Sequence, residues 1–241
     1  MSGTPHSPIH HDVAPAASQS SLLLMIVFMV ACGQMAQTIF VPALPQIALG
    51  LHVDASQLQA VMACYLLSYG MFQFVYGPVS DRVGRKMPLV VGIAIFVLGA
   101  VFAAKATSFN QLIMASLIQG LGTASAGALC RSIPRDHYFG DRLVQFNRDV
   151  SMAVVFLPLL APFIGSATAA YFGWQAVYWV LAGFGVAVWL LLIFLFKESL
   201  PKAQREHQAV FKSYKHVLRH RAFRAYLFSL IATFAGIAAF E

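Results

Sequence analysis

The chain has 241 residues, of which 59% are hydrophobic and 10% charged, and its mean hydropathy is +0.71. Soluble domains carry about 25% charged residues, so water is excluded as the main solvent. A formal net charge of +7 does not point to nucleic acid, because the charges stand in blocks between long uncharged stretches.

Residues 1–20 are rich in Ser, Pro, His and Ala and hold no Lys or Arg. They lack the charged start of a secretory signal and read as a disordered tail. His6, His10 and His11 are weak metal candidates there, and no metal site is expected. No charged residue then occurs between Asp12 and Asp54, Asp54 and Asp81, Lys86 and Lys105, Lys105 and Arg131, or Asp149 and Lys197. A helix needs about 20 apolar residues to cross the hydrocarbon layer. The first four gaps each hold one crossing and the fifth holds two.

In chain order, span one is predicted over residues 22–44, with an outer loop ending near Ser56. Span two covers 58–77, span three 87–104 and span four 112–130. Spans five (150–171) and six (176–196) are separated at Phe172-Gly173-Trp174-Gln175, where Gly and an interfacial Trp suit a tight outer turn. Cys32, Cys64 and Cys130 all fall inside spans, which suits packing rather than disulfides or metal. The fold class is therefore all-α and integral to the membrane. Its expected organisation is a tail (1–20), a six-helix bundle (21–197), a linker (198–224) and the start of a seventh span (225–241).

The linker opens with Glu198-Ser199-Leu200-Pro201, and Val210, Phe211, Tyr214, Val217 and Leu218 recur at helical spacing among Lys, Arg and His. Two readings stand: an amphipathic helix on the membrane surface, and an ordinary linker. Span seven reaches Glu241 after sixteen uncharged residues. A chain ending on a carboxylate inside a hydrophobic span is expected to be the first half of a longer protein or a truncated reading frame.

Basic residues fix the orientation. All but one of the 16 Lys and Arg lie in the even-numbered loops or after span six, and only Lys105 faces the other way. That pattern makes those loops and the N-terminus cytoplasmic, and the basic face would attract anionic lipid.

The most specific motif is Gly77-Pro78-Val79-Ser80-Asp81-Arg82-Val83-Gly84-Arg85-Lys86-Met87-Pro88-Leu89, in the short loop between spans two and three. Gly77 would let a helix end approach a neighbour, and Gly84 permits a turn that other residues resist. Asp81 can cap a helix or pair with an Arg, while Arg82, Arg85 and Lys86 anchor the loop at the interface.

On these residues the sequence resembles the major facilitator superfamily, whose signature reads Gly-x-Leu-x-Asp-Arg-x-Gly-Arg-Lys; Val79 is the one departure. The resemblance implies a conformational latch made of Gly77, Asp81, Arg82, Gly84, Arg85 and Lys86, which pairs with neighbouring helices and releases as the carrier rocks. Phe40-Val41-Pro42-Ala43-Leu44-Pro45, Gln119-Gly120-Leu121-Gly122 and Ala161-Pro162-Phe163-Ile164-Gly165-Ser166 resemble further motifs of its twelve-helix drug:proton antiporters. Ser116 stands where many relatives have an Arg linked to the proton step, so that role does not carry over. The resemblance also implies inverted three-helix repeats, though no convincing internal repeat is visible in the sequence.

Candidate site residues follow. Gln34, Gln37 and Thr38 share a face of span one. Tyr65, Tyr69, Phe72 and Tyr76, with Gln73 alongside, form a stripe on span two, readable as helix packing or as an apolar, aromatic wall for lipophilic compounds. Tyr hydroxyls in lipid need partners, and the span-one amides are the candidates. Glu241 is the one acid well inside a predicted span. Insertion there costs about 2.5–3.5 kcal/mol on the scale for a mid-membrane Asp, so it is the candidate proton-coupling residue, against the alternative of a carboxylate satisfied locally. Arg131 reads either as interfacial snorkelling or as a contact for polar substrate groups.

The resulting expectation is proton-coupled efflux of lipophilic small molecules from a bacterial inner membrane. It involves no enzymatic site, and no cofactor beyond the proton gradient. The expected partners are protons, membrane lipids and a C-terminal six-helix half, without nucleic acid. The alternatives are a same-fold exporter of sugars or amino acids and a nonfunctional fragment.

Overall fold

The computed structural model describes residues 16–201 together with positions 205, 224 and 229, all but the last three within the first of two compact units, residues 1–201. The seventh span with Glu241, the amphipathic segment and the histidines of the tail lie outside the described residues. What is described is helical: α1 (Ala16–Thr38), a 3-10 turn (Val41–Ala43), α2 (Leu44–Leu51), α3 (Ala55–Val83), α4 (Lys86–Ala104), α5 (Phe109–Leu129), α6 (Ser132–His137), α7 (Gly140–Phe172) and α8 (Trp174–Phe194). Among the described residues, six segments are long and apolar enough to cross a membrane, in the six places where the charge gaps put them.

The ends differ from the sequence reading for local reasons. Pro42 and Pro45 end span one early and start α2, a short helix where an outer loop was expected. Asp54 caps α3: its backbone N–H donates to Gln57 Oε1 at 3.1 Å in a reciprocal capping box. At its other end α3 continues through Pro78 to Val83. Asp81 and Arg82 are thus helical, and the loop shrinks to a turn at Gly84, whose φ of 108° only glycine adopts without strain. Gly173, with φ 83°, makes the one-residue break between α7 and α8. At 1.5 Å per residue the 33 residues of α7 measure about 50 Å, against about 30 Å of hydrocarbon. Its charged first turns, including Asp141, Arg142, Arg148 and Asp149, therefore stand clear of the apolar layer.

Helix α5 is the hub, packed against α3 and α4 and touching α1; α8 packs on α4, and α7 on α1. Small residues make this closeness possible. A Cβ on Gly120 would lie 2.3 Å from the Tyr65 carbonyl oxygen, and one on Gly122 2.3 Å from the Phe96 nitrogen. The backbones of α3 and α4 therefore rest directly on α5, as in membrane helix pairs held by dispersion. Polar side chains in the core bond across helices: Ser68 Oγ donates to the Leu117 carbonyl at 2.7 Å and Trp189 Nε1 to the Val90 carbonyl at 3.0 Å. Large apolar side chains such as Leu67, Met71, Phe74, Phe156, Leu160 and Phe163 point outward from α3 and α7. In lipid that costs nothing, because the solvent is as apolar as the core.

Candidate functional site

Two polar sites stand out. The first closes the end of the bundle where α3 meets α4. Arg85 follows Gly84 and turns back into the protein, where it is 7% exposed. Its guanidinium donates to Asp81 Oδ1 one turn back, to Ser80 Oγ at 2.6 Å, and through Nε to Asp136 Oδ2 at 3.1 Å on α6. Ser80 is oriented by its own bond to the Gly77 carbonyl, and Ser199 Oγ donates to the same Asp136 oxygen at 3.0 Å. Burial alone would drive the Arg85 charge down. The hydrogen bonds and charge of Asp136, and then those of Asp81, outweigh it and hold the guanidinium above its ordinary pKa.

Glu198 completes the network from the segment after α8. Its carboxylate accepts from the backbone N–H groups of Arg85 (2.7 Å), Lys86 (3.3 Å) and Leu200 (3.1 Å). It sits on the N-terminus of α4, where orphan donors and the helix dipole both favour an anion. Lys86 Nζ donates to the Ile193 carbonyl near the end of α8 at 2.9 Å. Four pieces of chain are thus tied at one point: α3, α4, α6 and the residues after α8.

Of the residues assigned to the latch, Asp81, Gly84, Arg85 and Lys86 meet here. Asp81 pairs with Arg85 and does not cap α4, the cap being Glu198. Gly77 has no close neighbour: a Cβ built on it meets nothing within 4 Å among the described residues. The close approach expected there is absent from the bundle. Arg82 is exposed. Asp136, Glu198, Ser80 and Ser199 were missed by the sequence reading. The signal available was weak: one of three acids among the basic residues between spans four and five, and one acid two residues past span six.

The second site lies inside the bundle. The Tyr65 hydroxyl is buried and donates to the Gly33 carbonyl at 3.1 Å, with Thr123 Oγ1 at 2.9 Å and Gln37 also in reach. Thr123 leans in turn on the Gln119 carbonyl at 3.0 Å. Tyr65 and Tyr69 stack with centroids 6.1 Å apart. Beside them a space of about 20 Å³ is bordered by Gln34, Gln37, Tyr69, Thr123 and Gly127, room for about one water. The partners expected from span-one amides are therefore mainly a backbone carbonyl and a threonine of α5. Thr38 turns its hydroxyl back on the Gln34 carbonyl of its own helix at 2.9 Å. Tyr76 is buried and Phe72 packs against the core, so this part of the stripe serves helix packing; Gln73 lies beside Tyr69. Arg131 is exposed at the start of α6, within electrostatic reach of Tyr69 and Cys130. Among the described residues, no group of three His, Cys, Asp or Glu could hold a metal, and the three cysteines are free.

The described bundle thus joins a charge network at one end to an uncharged polar interior, in a chain with six helices long and apolar enough to cross a membrane among its described residues. The sequence profile described as Major Facilitator Superfamily matches residues 26–241, and the chain belongs to that family as a multi-pass membrane protein. It is 41% identical over 221 residues to Multidrug resistance protein D of Escherichia coli strain K12, covering 92% of this chain and 56% of that one. Against Multidrug resistance protein MdtL of Vibrio parahaemolyticus the identity is 32% over 199 residues, 83% of this chain and 50% of that one. The chain thus spans about half the length of the curated relatives it matches. Two solved structures share the fold. One is the human organic anion transporter MFSD10 (TETRAN), with TM-score 0.65 and 17% identity over 81% of this chain and 51% of that one. The other is a bacterial homologue of the human lysosomal transporter Spinster, inward-facing and unoccupied, with TM-score 0.69 and 19% identity over 77% and 44%.

Proposed function

We propose that this chain supplies the first six-helix bundle of a proton-driven exporter of lipophilic compounds that works by alternating access. The observation that carries the reading is the 41% identity to Multidrug resistance protein D across 92% of the chain. The second site supports it: a space of about 20 Å³ is far below the 300–1,000 Å³ of small-molecule pockets. A substrate would have to sit between this face and a second bundle, against Gln34, Gln37, Thr38, Tyr69 and Gln73, the part of the face left partly open.

In this reading Arg85 is the latch. A guanidinium bonded to α3 and α6, beside a Glu198-capped α4, holds the end of the bundle as one body. Rocking against a partner bundle would break or re-form those bonds, so the network weights one conformation over another. Asp81, Arg82, Gly84 and Lys86 shape it, and Gly77 is left for a neighbour outside the bundle. Glu241 is the proton-coupling acid, Arg131 contacts polar substrate groups, and the proton gradient is the driving force with no other cofactor. The proposed organisation is a cytoplasmic tail (1–20), the bundle (21–197), an interdomain linker (198–224) and the first part of a seventh helix (225–241). The concentration of basic residues at the Arg85 end supports a cytoplasmic N-terminus in a bacterial inner membrane.

Ethidium transport by everted vesicles tests this. The chain alone should not move ethidium, whereas a form extended past Glu241 to complete a second six-helix bundle should accumulate it until an uncoupler collapses the gradient. Transport by the chain alone overturns the two-bundle reading, and transport by neither form removes the drug assignment.

A further inference from the structure

A larger cavity of the described bundle lies at neither site. It measures about 520 Å³ and opens at the Arg85 end, between the first turns of α1, the last turns of α8 and the end of α6. Its walls are Leu22, Leu24, Met25, Phe28, Leu191 and Leu195, and its polar lining comprises Ser21, His137, Tyr138 and Lys197. No carboxylate lines it. The two nearest in sequence are engaged elsewhere, Asp136 by Arg85 and Glu198 by the N-terminus of α4.

We propose that this cavity binds an anionic phospholipid of the adjacent leaflet, its acyl chain between α1 and α8 and its phosphate at Lys197. The depth is apolar and the mouth cationic, which is the polarity of a lipid lying with its headgroup at the interface. Leu24 and Leu195 are 57% and 64% exposed, so the cavity opens sideways where an acyl chain would enter, as well as toward the headgroups. His137 is held by its Nδ1–H, which donates to the Ile133 carbonyl at 3.0 Å, and Lys197 is the cation left for the phosphate. Lys197 lies three residues past the end of α8 and immediately before Glu198, so a bound phosphate would brace the segment that caps α4. The lipid would then steady the latch from outside the translocation path.

Native mass spectrometry of the purified chain in detergent, titrated with dioleoyl phosphatidylglycerol or dioleoyl phosphatidylcholine, tests the assignment. Wild type should prefer phosphatidylglycerol. Lys197→Gln should lower its affinity about fivefold, the weight of one basic residue near an anionic surface, and leave phosphatidylcholine unchanged. Leu24→Trp, which fills the cavity without altering charge, should weaken both lipids, while Lys105→Gln at the opposite end should weaken neither; helicity measured by circular dichroism checks that each variant is folded. Equal binding of the two lipids by wild type overturns the proposal. So does an unchanged preference in folded Lys197→Gln, or unchanged binding in folded Leu24→Trp.

Discussion

Neutralising Asp136 is the sharpest perturbation of the latch. The Arg85 side chain is 8% exposed, that of Asp136 14% and that of Asp81 43%. Removing one partner of a buried pair costs about 3–5 kcal/mol because the other charge is stranded. Here Asp81 and Ser80 remain, so the loss is nearer that of one charged hydrogen bond, about 1.5–3 kcal/mol. Asp81 is solvated, and the same change there should cost about 1 kcal/mol or less. Asp136→Asn should therefore destabilise the bundle at least about 1.5 times as much as Asp81→Asn, and Asp149→Asn, in the exposed pair with Arg148, should change it by under about 0.5 kcal/mol. Reversible denaturation in mixed detergent micelles, followed by tryptophan fluorescence, measures all three, and a double-mutant cycle with Arg85→Gln isolates the pair. Equal losses at Asp136 and Asp81, or no coupling between Asp136 and Arg85, would refute the reasoning.

Other expectations rest on different contacts. Glu198→Ala removes the acceptor for three backbone N–H groups and should cost about 1–2 kcal/mol in the same assay, by analogy with a lost helix cap. Tyr65→Phe should cost about 1 kcal/mol, since Thr123 keeps its bond to the Gln119 carbonyl. Gly165→Ala should destabilise by about 1–3 kcal/mol, because a Cβ there would lie 1.8 Å from the Ile39 carbonyl oxygen and force α1 and α7 apart. Gly77→Ala, with open space around its Cβ, should be neutral or stabilise α3 by up to about 1 kcal/mol; a loss of stability in this chain would show a neighbour within the bundle.

Much of the fold was legible because lipid simplifies the code. A charge-free run long enough to cross is a helix, and the five gaps in the charge pattern locate all six spans. Short elements escaped that logic. Helix α2 is started by Pro42 and Pro45, which looked only like a helix exit, and α6 is too short to show a period. Linear motifs also hide their partners. The signature over residues 77–89 identifies Arg85, but Asp136 and Glu198 come from 51 and 113 residues away, a pairing that only the packing of α4, α5 and α8 creates. The aromatic stripe of α3 was legible as a face. Which of its members touch an interior space depends on where α5 presents Thr123, and spacing carries no trace of that.

Drug-triggered proton release tests the central claim most directly. Proteoliposomes holding the two-bundle form at high pH, weakly buffered with a pH dye, should acidify the medium when ethidium is added. Glu241→Gln should abolish that release. Ethidium transport without any proton release, or undiminished release from Glu241→Gln, would contradict the account.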